Sequence, residues 1–237
     1  MKKEAKKNKY VRFVSDEHFL NCVKWVCNAY PEKSDEVDME KLQKNIVDPF
    51  KMIFDIINGK ICVNDWIKNE VIRQSDKTIN NRIGDFHQKL LGGVNGWTDL
   101  GVGDESKVDL MKNDKSVFME LKNKFNTVNS DSLSKVRDKL SNAVTTYPKA
   151  TAYWAYIIEK DGSSGESDWN YLGNNNPHIK RIWGANVYEI VTGDKKALEE
   201  TWRALPKAIS NVIGKEHKIE SEDMKKLVEF FQSAFLS

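Results

Sequence analysis

Two short segments of strand type, on either side of a turn, restrict most strongly how this chain can fold. Lys107–Met111 and Ser116–Lys122 are rich in valine, leucine, methionine and phenylalanine, and valine and phenylalanine in particular favour strands. Between them, Lys112–Lys115 has asparagine and aspartate at its centre, and both are common in turns. The pattern predicts a β-hairpin in which the first and last residues of this turn pair with each other.

Helical segments predominate before the hairpin. Apolar residues recur at the helical period in four stretches, which are Phe19 to Cys27 after the candidate cap Ser15, Leu42–Ile57, Asn64 to about Arg73, and Thr78–Leu91. The pair Gly92-Gly93 ends the last of them, because glycine commonly follows a helix.

Helices and strands alternate after the hairpin. The predicted order is a helix over Asp131–Tyr147 closed by Pro148, a buried strand over Thr151–Glu159, a long polar loop over Asp161–Pro177, a strand over Ile182–Val191, a helix capped by Thr192 or Asp194 that reaches about Leu205, and a helix over Glu222–Phe235. Strands separated by helices predict an α/β fold, with a mixed β-sheet that starts in a hairpin and is flanked by helices. We expect one domain over 1–237, with a helical N-terminal part (1–75), a core (76–205) and a C-terminal helix (206–237).

Composition narrows the class of protein. With 237 residues, 40% of them hydrophobic and 10% aromatic, the chain can bury a substantial core. It has no apolar run near the roughly 18 to 20 residues that span a bilayer, so we expect a soluble protein with no membrane association. Its three cysteines leave one unpaired in any disulfide scheme, which favours the reducing cytoplasm. The net charge of +2 does not by itself demand nucleic acid as a partner.

The second hairpin strand carries the most distinctive side chains. Because side chains alternate along a strand, Glu120 and Lys122 share a face with Phe118. The predicted turn pairing puts Asp109 opposite Phe118 and diagonal to Glu120, so both carboxylates lie on one face within reach of one cation.

Two acids beside a lysine suit phosphodiester hydrolysis. Mg²⁺ takes a few carboxylate oxygens together with waters and phosphate oxygens, and an ammonium beside it orients the attacking water and offsets charge that builds on the phosphate. The same spacing also occurs by chance on the solvated face of a strand. The neighbouring apolar residues favour a partly buried cleft instead.

These residues resemble a known family. V-D-L, the hairpin and F-M-E-L-K-N-K resemble the core of the PD-(D/E)xK nucleases. Ile83–Asn129, with G-D-F-H-Q, G-G-V-N-G-W and E-L-K-N-K-F-N-T, is similar to type II restriction endonucleases that cut GGNCC-type sites, and Ile182–Asp194 resembles a later strand of that group. The two stretches cover about a quarter of the chain.

The resemblance implies a restriction-endonuclease-like core and a homodimeric enzyme. Such an enzyme takes Mg²⁺, cuts double-stranded DNA at a short palindrome, and works beside a methyltransferase that protects the same site. The resemblance makes Asp109 and Glu120 metal ligands, the Leu121 carbonyl a further ligand, and Lys122 the catalytic lysine. Val108 stands where the motif has proline, which departs from the pattern without touching the chemistry.

Further candidates surround this centre. Such nucleases often place an acidic or amide residue on the preceding helix, which here is Asp85 or, less favoured, Gln88. Candidates for contacts to DNA follow the lysine directly or lie in the later segment Asp161–Arg181, and they are Asn123, Lys124, Asn126, Thr127, Lys180 and Arg181. For each of them an ordinary surface role is the alternative.

Two other patterns have a plainer interpretation. His18 and Cys22 have a spacing that could hold a metal, but a surface imidazole and a core thiol explain it better. Phe230, Phe231 and Phe235 could form a dimer surface, but aromatic residues on a terminal helix usually pack on their own core.

Three functions are therefore open at this point. The first is a type II restriction endonuclease, the second a repair or recombination nuclease that reads DNA shape, and the third a DNA-binding module without catalysis. The intact set of Asp109, Glu120 and Lys122 favours the first two.

Overall fold

A computed structural model describes residues 8–30, 42, 46–101, 108–127, 130–214 and 219–235. The chain divides into two compact units, one made of Met1–Lys24 with Gly84–Ser237 and the other of Trp25–Ile83. The prediction of a single domain over the whole chain stays a prediction.

Helices precede the first hairpin, and both strands and helices follow it, as the sequence predicts. The helices are α1 (Asp16–Cys27), α2 (Pro49–Gly59), α3 (Val63–Gly92), α4 (Ser130–Thr146), α5 (Ala185–Thr192), α6 (Ala197–Ile213) and α7 (Ser221–Phe235). The strands are β1 (Trp97–Asp99), β2 (Leu110–Lys112), β3 (Val117–Lys124), β4 (Thr151–Ile158), β5 (Gly165–Tyr171) and β6 (Asn174–Trp183).

The six strands form one mixed sheet in the order β1-β2-β3-β4-β6-β5. The pairs β3–β4 and β4–β6 are parallel, and the others are antiparallel. This confirms an α/β fold whose mixed sheet starts in a hairpin. The sequence analysis missed β1, because three residues in a glycine-rich stretch are too few to show alternation.

The core lies on both faces of this sheet. On one face, Phe118 and Trp154 pack with Val136, Leu140 and Val144 of α4 in a buried apolar cluster. The alternate side chains of β3, such as those of Met119 and Leu121, point to the other face of the sheet and are also buried. Both faces are therefore covered, as expected for a sheet flanked by helices.

The second unit contains α2 and the first part of α3. The Trp66 indole N–H donates to Asp55 Oδ2 at 3.0 Å and ties these two helices together. Apolar residues at the helical period of α2, including Phe50 and Phe54, lie on the surface.

Two helix predictions before the hairpin were wrong in their bounds. Of the predicted helix over Leu42–Ile57, the residues 43–45 lie outside the described part, and the helix that follows begins only at Pro49. Proline fits the first turn of a helix but not its interior, and the Asp48 carboxylate caps the start by accepting from the Phe50 N–H at 2.9 Å. The predicted break between Arg73 and Thr78 is absent, because the residues between them include no glycine or proline that would end α3.

The predicted polar loop Asp161–Pro177 is instead a hairpin of β5 and β6. Its two turn residues, Leu172 and Gly173, both have positive φ (50° and 76°), as a type I′ turn requires. Leucine is an unusual residue for that conformation, so the usual Asn-Gly signal was missing from the sequence.

The predicted strand Ile182–Val191 ends early, at Trp183, and the chain turns into α5. Gly184 makes the turn with φ of 66°, where a Cβ would collide with Ser164. The next helix begins at Ala197 with Lys196 as its cap residue, so neither predicted cap residue holds that position, and it runs past Leu205 to Ile213. The other predicted elements after the first hairpin, namely the helices near α4 and α7 and the strand β4, are confirmed.

Candidate active site

The first hairpin brings the two acidic residues together, with a register that differs from the prediction. The Lys115 N–H donates to the Lys112 carbonyl at 2.8 Å and closes the predicted turn. However, Leu110 pairs with Met119 and Met111 with Phe118, so the strand register counted from that turn is wrong by two residues. Continued by one residue, this register puts Asp109 opposite Glu120 instead of diagonal to it. A shift of two residues preserves the face of a strand, so the predicted shared face is retained.

Asp109, Glu120 and Lys122 form one contact group. The Lys122 ammonium Nζ lies 2.8 Å from Glu120 Oε1 and 3.5 Å from Asp109 Oδ2. The backbone N–H of Leu121 donates to Asp109 Oδ2 at 2.7 Å. The Glu120 side chain is only 3% exposed, compared with 16% for Asp109. The three residues predicted as the catalytic set are thus adjacent in a partly buried cluster.

Burial and charge shift the protonation of this group. Burial, with the neighbouring Glu120 charge, raises the pKa of Asp109 above its ordinary value. Burial alone would lower the pKa of Lys122, but the charges of Asp109 and Glu120 outweigh it and raise that pKa. Lys122 is therefore an ammonium ion at neutral pH.

A second lysine, which the sequence analysis missed, also reaches this cluster. Lys139 of α4 places its Nζ 3.2 Å from both carboxylate oxygens of Glu120. A signal for it exists in the sequence, because Lys139 falls within the apolar stripe of Val136, Leu140 and Val144 that α4 turns toward the sheet. A charged residue in such a stripe needs a buried partner.

The oxygen donors of this cluster fit a magnesium ion. Asp109, directly before β2, and Glu120 of β3 both offer carboxylate oxygens. The Leu121 carbonyl faces the same edge as its N–H, because both groups of a strand residue point to one side. Within the described residues there is no group of three or more His, Cys, Asp and Glu side chains that could hold a metal. Two carboxylates completed by water and phosphate oxygens are the set that Mg²⁺ prefers.

Arg181 lies on the same face of the sheet as Glu120, and Lys180 lies on the opposite face. Glu120 pairs with Trp154, which pairs with Arg181, so these side chains share a face. Two strand spacings separate the backbones of Glu120 and Arg181 by about 10 Å. Lys180 points to the opposite face and binds Glu166 at 2.7 Å, whereas an Arg181 guanidinium N–H donates to Ser167 Oγ at 3.2 Å.

The four candidates after Lys122 lie where β3 ends. Lys124, Asn126 and Thr127 are exposed, and the Thr127 hydroxyl donates to the Lys124 carbonyl at 2.8 Å. Asn123 lies against α3, because a Cβ atom added to Gly84 of that helix would be 4.0 Å from the Asn123 Cβ atom. The Asn123 Oδ1 atom is buried and accepts no hydrogen bond from the described residues. That these four residues bind DNA stays a prediction.

The two upstream candidates differ in their surroundings. The Gln88 amide donates to Asp99 Oδ1 at 2.7 Å, and the same oxygen accepts from the Gly101 N–H at 2.8 Å. Gln88 is thus engaged with β1. Asp85 is half-buried on α3, and its role as a metal ligand through water stays a prediction.

The plainer interpretations of His18 and the terminal phenylalanines fit the structure. His18 Nε2 lies 2.9 Å from the Lys89 carbonyl oxygen, so it is occupied by a backbone contact with α3. Cys22 is buried beside it, and burial raises the pKa of its thiol to about 12. Phe231 is buried against the Trp202 ring, with centroids 4.7 Å apart, although Phe230 is exposed.

Comparison with known proteins agrees with this geometry. The family model described as Eco47II restriction endonuclease matches residues 11–214. The type II restriction enzyme Sau96I of Staphylococcus aureus is 30% identical, over 96% of this chain and 90% of that protein. The type II restriction enzyme Eco47II of Escherichia coli is 31% identical, over 95% of this chain and 98% of that protein. The α/β chain with its hairpin of Asp109, Glu120 and Lys122 belongs to the Eco47II restriction endonuclease family.

Proposed function

We propose that this chain hydrolyses phosphodiester bonds of double-stranded DNA at a short palindromic site, with Mg²⁺ as its cofactor. The observation that carries the proposal is the contact of the Lys122 ammonium with Glu120 at 2.8 Å and with Asp109 at 3.5 Å. Two carboxylates and one ammonium at the end of a hairpin are the groups that such hydrolysis needs.

The residues of the cluster have separate tasks in this proposal. Asp109, Glu120 and the Leu121 carbonyl would hold the cation. When bound, the cation supplies positive charge that polarises the phosphate and the attacking water. Lys122 orients that water for in-line attack and offsets negative charge on the phosphate oxygens. A bond from the water oxygen to phosphorus forms as the bond from phosphorus to the leaving sugar oxygen breaks; the water gives up a proton to solvent, and the sugar oxygen takes one up from solvent.

Contacts to DNA are assigned around this centre. Any DNA bound at Asp109 and Glu120 passes close to Asn123 and Lys124, and then to Asn126 and Thr127, so we assign these residues to phosphate contacts. Arg181 shares the face of Glu120 and is our candidate for reading guanine or holding a phosphate. Lys180 is the weaker candidate, because it faces the other way and is paired with Glu166.

The wider system is proposed from the family resemblance. A GGNCC-type site is a palindrome, and two copies of the chain related by a two-fold axis would match its symmetry. A homodimer is therefore our proposed assembly, and a methyltransferase acting on the same site its functional partner. We place both enzymes in the cytoplasm, where the three cysteines would stay reduced, and all three are free thiols in the structure. No helix in the described part of the chain is long and apolar enough to cross a membrane.

Digestion of unmethylated phage lambda DNA tests this proposal. We expect discrete fragments when Mg²⁺ is present and intact DNA when EDTA replaces it, and sequencing of the fragment ends should place every cut in a GGNCC-type site. Cuts confined to branched or damaged DNA would favour a repair or recombination nuclease. DNA that is bound but never cut by the folded protein would favour a binding module.

A further inference from the structure

Glu120 is held by two ammonium groups that come from different elements. Lys122 approaches Oε1 along β3 at 2.8 Å, and Lys139 approaches both oxygens from α4 at 3.2 Å. The Lys139 side chain is 21% exposed, whereas that of Glu120 is 3% exposed. Lys139 therefore has access to solvent at a point where the carboxylate has almost none.

The charges of this cluster balance before any divalent cation binds. Asp109 and Glu120 face Lys122 and Lys139, so two acidic groups meet two basic ones. A buried carboxylate without such partners is costly, because it loses its hydration and gains nothing in return. A divalent cation that enters this neutral cluster meets the repulsion of both ammonium groups.

We propose that Lys139 is a positioning residue that serves as the internal counter-ion of Glu120. It holds the carboxylate in place and balances its charge in the metal-free protein, and it gives up this contact when a divalent cation binds Glu120. The inference rests on the proposed function, in which Glu120 is a metal ligand. Because the Lys139 side chain is partly exposed, its ammonium group can move away from the site into solvent. Lys122 stays in place beside both acids.

The inference predicts opposite changes in stability and in metal affinity. Without the Lys139 charge, Glu120 loses one partner, so the metal-free protein should unfold at a lower temperature. The same loss removes a competitor of the cation, so Mg²⁺ should bind more tightly, by about fivefold or more, the lower end of typical couplings between two sites. Lys139→Arg keeps the charge and should stay within about twofold of wild type.

Calorimetric titration of the full-length protein with MgCl₂ alone, and thermal unfolding with and without MgCl₂, measure both changes. Lys139→Met and Lys139→Gln remove the charge, and Gln keeps a polar end if the Met variant fails to fold. Lys135→Met is the matched control, because Lys135 is exposed on the same helix.

The outcomes separate this inference from the proposed function. Tighter Mg²⁺ binding in Lys139→Met or Lys139→Gln, with Lys139→Arg and Lys135→Met like wild type, supports it. Lower stability with unchanged Mg²⁺ affinity would show a structural role and overturn it, while wild-type cleavage of DNA would leave the proposed function standing. Wild-type protein that binds no Mg²⁺ and cuts no DNA would overturn both.

Discussion

The two acidic residues of the site differ in their surroundings. Glu120 is almost fully buried and contacts two ammonium groups, whereas Asp109 is more exposed and is held by Lys122 and by the Leu121 N–H. In the proposed mechanism, a cation that binds both acids competes with the charged contacts at Glu120. In our proposal Lys122 stays beside the acids and Lys139 gives up its contact.

We expect stability to depend on pH through the partly buried residue His87. Burial lowers the pKa of its imidazole to about 4, from an ordinary value near 6.5. Between these values the unfolded chain binds a proton that the folded protein does not, so this contribution to stability is present above about pH 6.5 and is lost as the pH falls toward 4. We expect a loss of roughly 1 to 2 kcal/mol between pH 7 and pH 5.

Urea unfolding of wild type and His87→Gln at both pH values measures this loss. Glutamine retains a polar partner for the Tyr188 hydroxyl, which lies 2.7 Å from His87 Nδ1. The stability of the variant should fall less between pH 7 and pH 5 than that of wild type. Equal falls for the two proteins would contradict the role of His87.

At the scale of residues, site residues that are close together in the sequence could be predicted, whereas those on distant elements could not. Asp109, Glu120 and Lys122 could be grouped because one hairpin carries all three, and strand alternation put them on one face. Lys139 lies on another helix, and only tertiary packing brings it to Glu120. Arg181 and Lys180 are neighbours in sequence, but the observed strand separates them onto opposite faces.

At the scale of elements, the β5–β6 hairpin shows a local conflict between sequence and backbone. Leu172 has φ of 50° and is 89% exposed, so its side chain gains little from packing while its backbone adopts a conformation that costs about 1 to 2 kcal/mol. Asparagine tolerates this conformation better.

We therefore expect Leu172→Asn to stabilise the protein by about 1 kcal/mol. The free energy of unfolding in urea measures the gain. Leu172→Ala is the matched control, because it also removes the exposed side chain but keeps the unfavourable backbone conformation. An asparagine variant no more stable than the alanine variant would contradict the account of this turn.

The elements that could be predicted are those with a strong period and clear ends. Strand β4 is a continuous apolar run, and α4 has a regular apolar stripe before Pro148. The β5–β6 hairpin was missed because its strands are polar and its turn lacks the usual residues. The predicted break in α3 is absent, and polar side chains there bond within the helix, as when the Thr78 hydroxyl donates to the Gln74 carbonyl at 3.1 Å.

At the scale of the whole molecule, fold class and family could both be predicted from the sequence. The residues that carry the resemblance cover about a quarter of the chain, whereas the family match extends over residues 11–214. The hairpin that carries Asp109, Glu120 and Lys122 is local in sequence, which is why a short stretch suffices to identify the family. Base recognition depends on side chains from several loops and strands, so the sequence gives it only through resemblance.

The central claim is that Lys122 acts in the chemistry at Asp109 and Glu120, and its most direct test compares cleavage with binding. Plasmid DNA carrying the site is mixed with excess enzyme and Mg²⁺ for the cleavage rate, and binding is measured with EDTA. Lys112→Ala is the control, since Lys112 lies on the same hairpin but pairs with Asp114. We predict that Lys122→Ala lowers the cleavage rate at least about 100-fold and leaves DNA affinity within a few fold of the control. Cleavage by Lys122→Ala at the rate of the Lys112→Ala enzyme would contradict the account.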